Sequence, residues 1–360
     1  MNFKSILFCI LSSILLASCS KENVSEPTPT TNSNIFGVLV NQAEGQQLST
    51  NQKNDLLKNQ FKVPYTRHQI VLTNFNGTIA TYDSYVNNGL KVLLNVTSKV
   101  TSFTEPEGPY ITDLVLYRQK LTELLNVYKP EVLVVENEEA NSSYYTGTAQ
   151  EYINLLNIAI EECKTRNIKV TNGGFTARMS KLLVWDYYTT TGQISKATEY
   201  AQKVFPDTLI NTVGVANYIA TNAQVRTTFE KAKLLLNEYK VNKMTYLNIH
   251  WYEPAKEGDY PTPNIDNITN SDMKGFQETV EVLKQICNKP VITNEIGQFN
   301  TKGTLTTDIL QKCYDLNLPY VIWYSGDGPK IGDAKALYNG SGVLRESGTA
   351  FKTFISNKYQ

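Results

Sequence analysis

Residues 114–139 read LVLYRQKLTELLNVYKPEVLVVENEE, a helix pattern followed at once by a strand pattern. In the first half, apolar side chains recur with helical spacing at Leu114, Tyr117, Leu121, Leu124 and Tyr128. Pro130 prevents the helix from continuing. Residues 131–135 then form the nearly continuous apolar run that is typical of a parallel strand buried on both faces. The stretch therefore predicts an α/β fold with a parallel sheet.

The same rhythm recurs along the chain. Strand-like runs occupy residues 35–40, 65–72, 91–96, 131–135, 168–172, 244–251, 290–294 and 320–323. Eight strands with helical crossovers predict a single (β/α)8 TIM barrel over residues 35–358. A doubly wound open sheet is the alternative, but residues 40–45, VNQAEG, lack the glycine-rich loop usual after its first strand. The gap between strands five and six exceeds one crossover, so we expect an elaborated loop and an extra helix there.

The composition argues against several classes of protein. The 360 residues carry 34 Lys and Arg against 34 Asp and Glu, without a basic run, so we expect no nucleic-acid partner. The two histidines, His68 and His250, are too few for a multi-histidine metal cage. Cys163, Cys287 and Cys313 are too few and too scattered for a disulfide scaffold. We therefore expect a globular monomer that uses no cofactor.

The start of the chain has the layout of an export signal. Lys4 precedes an apolar run over residues 6–16, which is too short to span a membrane. Small residues then lead directly to Cys19, in the order Leu-Ala-Ser-Cys. This arrangement resembles the bacterial lipobox, which implies cleavage before Cys19 and acylation of that cysteine.

A signal peptide over residues 1–18 leaves residues 19–34 as an anchored tether. The tether is mostly Ser, Thr, Pro, Asn and charged residues, a composition that predicts a flexible linker. Ser20 resembles the residue after the cysteine in lipoproteins sorted to the outer membrane. We therefore expect the protein to be lipid-anchored in the outer membrane, on the cell-surface or periplasmic side.

In a (β/α)8 barrel, functional side chains lie where the strands end at the C-terminal face. Glu138 follows strand four and Glu295 follows strand seven, on roughly opposite sides of the ring. Two carboxyl groups that face each other across the mouth can flank one scissile bond. Glycoside hydrolysis needs such a pair, with a protonated acid at the leaving oxygen and an ionised carboxylate at the anomeric carbon. Both glutamates are therefore candidate catalytic residues.

Taken in order, the strand ends resemble those of the clan A glycoside hydrolases, which are retaining (β/α)8 enzymes. The matching motifs are Arg67 at strand two, Asn137-Glu138 at strand four, His250 and Tyr252 at strand six, Glu295 at strand seven and Trp323 at strand eight. The resemblance covers the whole barrel. It implies hydrolysis of β-linked oligosaccharides or polysaccharides through a covalent intermediate.

The resemblance also implies roles. Glu138 is the acid/base and Glu295 the nucleophile, which Arg67 and a hydrogen bond from Tyr252 keep ionised. Asn137 donates to the sugar 2-hydroxyl.

At the other matching positions, His250 holds a substrate hydroxyl or the carboxylate network, and Trp323 stacks on a sugar face. Further candidate sugar platforms near strand ends or in the long fifth loop are Trp185, Trp251 and Tyr324, together with the Tyr144-Tyr145 pair.

The chain departs from the clan pattern at three strands. Glu139 stands where proline often follows the acid/base, and strand three offers Asn95 or Thr97 where some families have histidine. In strand seven, Asn294 intervenes before the nucleophile and Gln298 replaces an aromatic residue.

Two alternatives stay open. Glu136 or Glu139 could be the acid in place of Glu138, because strand alternation puts Glu136 and Glu138 on the same side. The preceding Asn137 favours Glu138. The chain could also be a non-catalytic glycan-binding surface lipoprotein on the same barrel, which would hold an oligosaccharide without cleaving it.

Overall fold

Eight parallel strands form a barrel in the computed structural model, which describes residues 33–98, 111–256, 268–328 and 334–359. The strands are β1 Phe36–Val40, β2 Tyr65–Val71, β3 Lys91–Thr97, β4 Val132–Val135, β5 Lys169–Asn172, β6 Leu247–Glu253, β7 Val291–Gln298 and β8 Val321–Ser325. They pair in the order β5-β4-β3-β2-β1-β8-β7-β6. Parallel bridges between Thr171 and Tyr246 and between Phe175 and Ile249 join β5 to β6. The predicted α/β barrel is confirmed.

Helices surround the strands. They are α1 Thr50–Asp55, α2 Ala80–Asn87, α3 Leu114–Val127, α4 Ala149–Lys164, α5 Ala177–Thr190, α6 Ile194–Val204, α7 Val215–Thr221, α8 Ala223–Tyr239, α9 Lys274–Cys287, α10 Gly303–Asp315 and α11 Glu346–Tyr359. Short π-helical turns extend α1 over Leu56–Gln60 and precede α7 over Leu209–Val213, and a 3-10 turn follows β2 over Leu72–Asn74. The expected elaboration between β5 and β6 is helical and contains α5 to α8.

Local sequence explains where the longer helices begin and end. At the start of α4, the hydroxyl of Thr148 accepts from the backbone of Glu151, whose carboxylate accepts from the backbone of Thr148. At the start of α3, the carboxylate of Asp113 accepts from two backbone N–H groups. The helix ends before Pro130, as the sequence predicts. The longer helices bury apolar side chains in the hydrophobic core.

The barrel interior changes from apolar at the base to polar at the mouth. At the base, seven buried side chains pack together, namely Leu93, Val132, Val134, Tyr246, Ile292, Tyr320 and Ile322. Above them lies a layer of buried asparagines on β3, β5, β6 and β7: Asn95, Asn172, Asn248 and Asn294. Charged side chains lie above the asparagines, at the C-terminal ends of the strands. The fold thus carries its polar chemistry at one end of the barrel.

The predicted signal peptide of residues 1–18, the predicted lipidation site Cys19 and the predicted tether up to residue 32 lie outside the described residues. Across the described ranges, none of the helices combines the length and the apolar character that a membrane crossing requires.

Candidate active site

The loop after β4 separates three glutamates that follow one another closely in sequence. Glu136 and Glu138 both adopt left-handed backbone conformations, with φ of 61° and 44°. Glu136 is buried, and its carboxylate accepts from the backbone and hydroxyl of Ser98. Glu139 is fully buried and accepts from Tyr239. Of the three, only Glu138 lines the cleft at the barrel mouth, so the geometry favours it over the two alternative acids.

A bulge in β7 places two consecutive side chains in the site. In β6, Asn248 pairs with Ile292 of β7, and His250 pairs with Glu295. The step from Asn248 to His250 is two residues, whereas the step from Ile292 to Glu295 is three. The extra residue in β7 breaks the usual alternation of faces. Both Asn294 and Glu295 consequently contact groups inside the barrel. The intervening asparagine that departs from the clan pattern is explained by this bulge.

Glu295 is held by donors on both of its carboxylate oxygens. Arg67 donates from Nη1 to Oε2 across 2.6 Å, and Tyr252 donates to Oε1 across 2.8 Å. Burial alone would raise the pKa of this carboxyl group. The positive charges of His250 and Arg67 and the two hydrogen bonds outweigh burial and hold the pKa of Glu295 below its ordinary value. Glu295 is therefore ionised at neutral pH.

Glu138 faces Glu295 from the other side of the mouth. Its Oε1 lies 3.0 Å from Nδ1 of His250, and its Oε2 accepts from the side-chain amide of Asn141 across 3.1 Å. One carboxylate oxygen of Glu138 and one of Glu295 lie within 4.8 Å of each other. Sequence reasoning missed Asn141, because nothing in the chain marks a residue three positions beyond the acid.

Arg67 ties the two sides of the site together. Its Nη1 contacts Glu295, while its Nη2 donates to Oδ1 of Asn137 across 2.7 Å. The guanidinium is 3% exposed, so both contacts form in a largely dry environment where they are strong. The sequence-predicted residues Arg67, Asn137, Glu138, His250, Tyr252 and Glu295 are thus brought to one place.

A cleft of about 280 Å³ opens beside Glu138, His250 and Tyr252. Its far wall is the first turn of α5, residues 176–179, and the start of α8. Phe299 also lines it and packs against Tyr252, with ring centroids 5.3 Å apart. Phe299 follows Gln298, so the aromatic residue expected at the end of β7 lies one position later than the clan pattern suggests.

Comparisons with known proteins agree with this fold. The chain matches a GH128 (subgroup II) endo-beta-1,3-glucanase from Sorangium cellulosum over 88% of its length and 97% of the other, with a TM-score of 0.54 and 14% identity. It also matches a GH128 (subgroup VII) oligosaccharide-binding protein from Trichoderma gamsii (91% and 96% covered, TM-score 0.47, 12% identity) and a GH30 subfamily 8 xylanase from Clostridium acetobutylicum (91% and 72%, 0.46, 12%). The match to the Sorangium cellulosum enzyme shows that the barrel is a fold also found in a solved glycoside hydrolase. No family model and no curated protein matches the sequence.

Two predicted sugar platforms are wrong. Trp323 is fully buried and packs edge-on against Phe351 of α11, with ring centroids 5.9 Å apart. Trp251 is also fully buried, against Phe276 of α9, and donates to Glu253. Both residues occupy strand positions that point outward to the helices, because side chains alternate along a strand.

The remaining aromatic candidates divide between the helix layer and the mouth. Trp185 lies on α5, about two turns beyond the residues that line the cleft, and packs against the apolar layer. Trp185 therefore does not line this cleft, and its contact with substrate stays a prediction. Tyr324 lies at the mouth, where its hydroxyl accepts from Asn41 and its ring meets Tyr252 edge-on. Contact of Tyr324 with substrate stays a prediction.

Within the described ranges, one group of acidic and histidine side chains is close enough to share a metal ion: Glu138, His250 and Glu295. The guanidinium of Arg67 already pairs with Glu295 and adds positive charge beside the site. A metal cation bound between these three side chains would be repelled by the guanidinium. The arrangement suits a carboxylate pair better than a metal centre.

Proposed function

We propose that this chain is a retaining glycoside hydrolase that cleaves β-linked glycans by double displacement. The pairing of Glu138 with Glu295 carries the proposal, because their nearest oxygens lie within 4.8 Å. Retaining enzymes hold their carboxyl groups about 5–5.5 Å apart, whereas inverting enzymes need about 6.5–9.5 Å to admit a water molecule. The short gap in this site favours direct attack on the sugar.

In the first step, ionised Glu295 attacks the anomeric carbon while Glu138 protonates the leaving oxygen. A covalent glycosyl-enzyme intermediate forms and the leaving sugar departs. In the second step, Glu138 removes a proton from water, which releases the sugar from Glu295. The low pKa of Glu295 and the contact between Glu138 and His250 fit these two roles.

Asn137 is placed to recognise the sugar during both steps. Its side-chain carbonyl is occupied by Arg67, which orients the amide N–H group away from the guanidinium. An N–H donor beside the nucleophile fits a hydrogen bond to the sugar 2-hydroxyl, a contact that strengthens in the transition state.

Hydrolysis of β-1,3-gluco-oligosaccharides and xylo-oligosaccharides, measured as released reducing sugar, tests the proposal. Glu138→Gln and Glu295→Gln should each remove activity and leave the fold intact. Glu136→Gln is the matched control, since Glu136 is buried against Ser98, does not line the cleft, and should tolerate the amide. Full activity in either of the first two variants would remove that residue from the mechanism.

A second experiment addresses the covalent step. Azide should restore activity to Glu295→Ala and give a glycosyl azide of inverted anomeric configuration, because it fits the space vacated by the nucleophile. Oligosaccharide binding without hydrolysis, unchanged in Glu295→Gln, would instead support the glycan-binding alternative.

We also propose that lipid on Cys19 anchors the protein in the outer membrane. The signal-like sequence of residues 1–19 supports this, and β1 starts at the end of the barrel opposite the candidate active site. A tether that joins β1 would attach at the end of the barrel opposite the cleft. Cys19→Ala should leave the protein unacylated and in the soluble fraction, and continued fractionation with membranes would contradict the anchor.

A further inference from the structure

The four buried asparagines beneath the active site are bonded to one another and to His250. Asn294 contacts its neighbours on β3 and β6, and its Oδ1 lies 2.9 Å from Nε2 of His250. A side-chain amide can be rotated by half a turn without changing its shape, so its orientation has to be inferred from its partners. In this layer, backbone groups supply that information, because a backbone carbonyl only accepts and a backbone N–H only donates.

On one side, the orientation is fixed through β3. The amide of Asn95 contacts the backbone carbonyl of Glu136 at 3.4 Å, which requires the Asn95 NH2 group to face Glu136. Oδ1 of Asn95 then faces Asn294, which donates to it across 3.1 Å. The NH2 group of Asn294 is therefore turned away from His250.

On the other side, the orientation is fixed through β6. The backbone N–H of Asn294 donates to Oδ1 of Asn248 across 3.0 Å. The NH2 group of Asn248 must then face Asn294, whose Oδ1 accepts from it across 2.7 Å. Both sides give the same result, so the atom of Asn294 that meets His250 is an oxygen.

We propose that Asn294 is a positioning residue whose side-chain oxygen keeps a proton on Nε2 of His250, so that His250 and Glu138 hold one proton between them. The amide oxygen can only accept, so its contact with Nε2 at 2.9 Å is a hydrogen bond only if Nε2 carries a proton. In the neutral ring, Nδ1 then carries a lone pair, 3.0 Å from Oε1 of Glu138. That contact is a hydrogen bond only when a single proton lies on one of its two atoms.

Other charges also act on this ring. The titratable and charged groups that face His250 are Glu138 after β4, Glu139 in the same loop, Arg67 on β2 and Glu295 on β7. Burial lowers the pKa of His250, but the charge of Glu295 and the contact with Glu138 outweigh burial and the opposing Arg67, so that the pKa lies above its ordinary value.

This inference rests on the proposed function for its meaning in the reaction. In the first step, the shared proton goes to the leaving oxygen, and the bond between that oxygen and the sugar breaks. Glu138 is left as a carboxylate that faces the lone pair of a neutral Nδ1, an unfavourable contact that the next proton relieves. In the second step, the proton comes from the attacking water, and the pair returns to its starting state.

Nitrogen NMR of the substrate-free, full-length protein labelled with 15N-histidine tests the inference independently of activity. The chain has two histidines, and His68→Gln assigns the signals. His68 is an internal reference, because burial and then the charge of Lys53 lower its pKa to about 4. We expect Nε2 of His250 to be protonated at every pH, while Nδ1 gains a proton as the pH falls. A neutral His250 ring with its proton on Nδ1 would overturn the proposal.

Two variants separate Asn294 from Glu138 as the residue that fixes the proton. Glu138→Gln should leave His250 neutral with its proton still on Nε2, and a shift to Nδ1 would assign the control to Glu138 instead. Asn294→Leu removes the acceptor and should bring the Nδ1-protonated form into the spectrum. An unchanged spectrum in a folded Asn294→Leu variant would also contradict the proposal.

Asn294→Asp covers the case in which the leucine variant does not fold, because it keeps an oxygen acceptor. It should retain the proton on Nε2 and draw the shared proton from Glu138 toward His250. With a hydrolysed substrate, kcat should fall at least about 10-fold with little change in KM. A chain without hydrolytic activity but with the expected histidine spectrum would refute the proposed function and not the role of Asn294.

Discussion

Tyr252 donates its hydroxyl hydrogen to Oε1 of Glu295 across 2.8 Å, on the carboxylate oxygen that Arg67 does not bind. Proximity to the carboxylate and burial raise the pKa of Tyr252 well above its ordinary value, with burial the larger cause. The phenol therefore stays protonated and donates over the whole working pH range. Each oxygen of Glu295 thus has its own donor, which stabilises the charged form.

Tyr252→Phe removes one of these donors, so the pKa of Glu295 should rise. Because Glu295 must be ionised to attack, the acidic limb of the kcat/KM profile should move to higher pH. A hydrogen bond to a charged group is worth about 1.5–3 kcal/mol, so kcat should fall about 10- to 100-fold. Tyr200→Phe is the matched control, since its buried hydroxyl bonds Thr279 in the helix layer. An acidic limb that stays in place in Tyr252→Phe would show that Arg67 and His250 keep Glu295 ionised without Tyr252.

Much of the barrel could be predicted from the sequence because parallel strands and their helices have different periods. The seventh predicted strand, however, stops early at a charged residue. The strand predicted over residues 290–294 continues through Glu295 to Gln298. A charged side chain ends an apolar run in the sequence, but at the barrel mouth it is satisfied by partners from other strands that a local pattern does not contain.

Side-chain direction was the less predictable part of the site. Ile322 points into the barrel and Tyr324 reaches its mouth, so alternation directs Trp323 outward, and a strict count along β8 would have shown this. At β7 the same count fails, because the bulge puts Asn294 and Glu295 on one side. The left-handed turns that select Glu138 over its acidic neighbours also have no signature in the residue types.

Gly174 should be indispensable, because a side chain there would strike the active site. Its φ is 107°, and an added Cβ would lie 2.3 Å from Nε2 of His250. Gly174→Ala should displace His250, abolish activity and lower the free energy of unfolding by several kcal/mol.

Gly192→Ala is the control, since φ is 76° there and nothing lies within 4 Å of the added Cβ. It should cost only the backbone strain, about 1–3 kcal/mol, and retain activity. Urea unfolding and kcat measure both effects, and an active Gly174→Ala would show that His250 has another place to go.

Two aromatic substitutions should separate packing from substrate binding. Trp323→Leu removes a fully buried ring between β8 and α11 and should lower the free energy of unfolding by about 2–4 kcal/mol, with KM unchanged. Phe299→Leu removes a ring that lines the cleft and should raise KM with a smaller effect on stability. Urea titration and oligosaccharide kinetics on the same preparations distinguish the two outcomes. A raised KM in Trp323→Leu alone would restore the tryptophan as a sugar platform.

Glu136 should make the barrel less stable as the pH rises toward neutrality. Burial raises its pKa to about 7, and the hydrogen bonds from Ser98 offset only part of that effect. The unfolded chain releases this proton near the ordinary glutamate pKa of about 4.3, so the free energy of unfolding should fall between that pH and about 7 and then level off. Glu136→Gln removes the titration while keeping an oxygen for Ser98. It should flatten this part of the stability curve and stabilise the protein above pH 7 by an amount on the order of 3 kcal/mol.

Glu123→Gln, at an exposed site on α3, should leave the curve unchanged. If the free energy of unfolding changed with pH in the same way in Glu136→Gln and in the parent protein, Glu136 would be ionised in the folded barrel. Its hydrogen bonds with Ser98 would then offset the cost of burial.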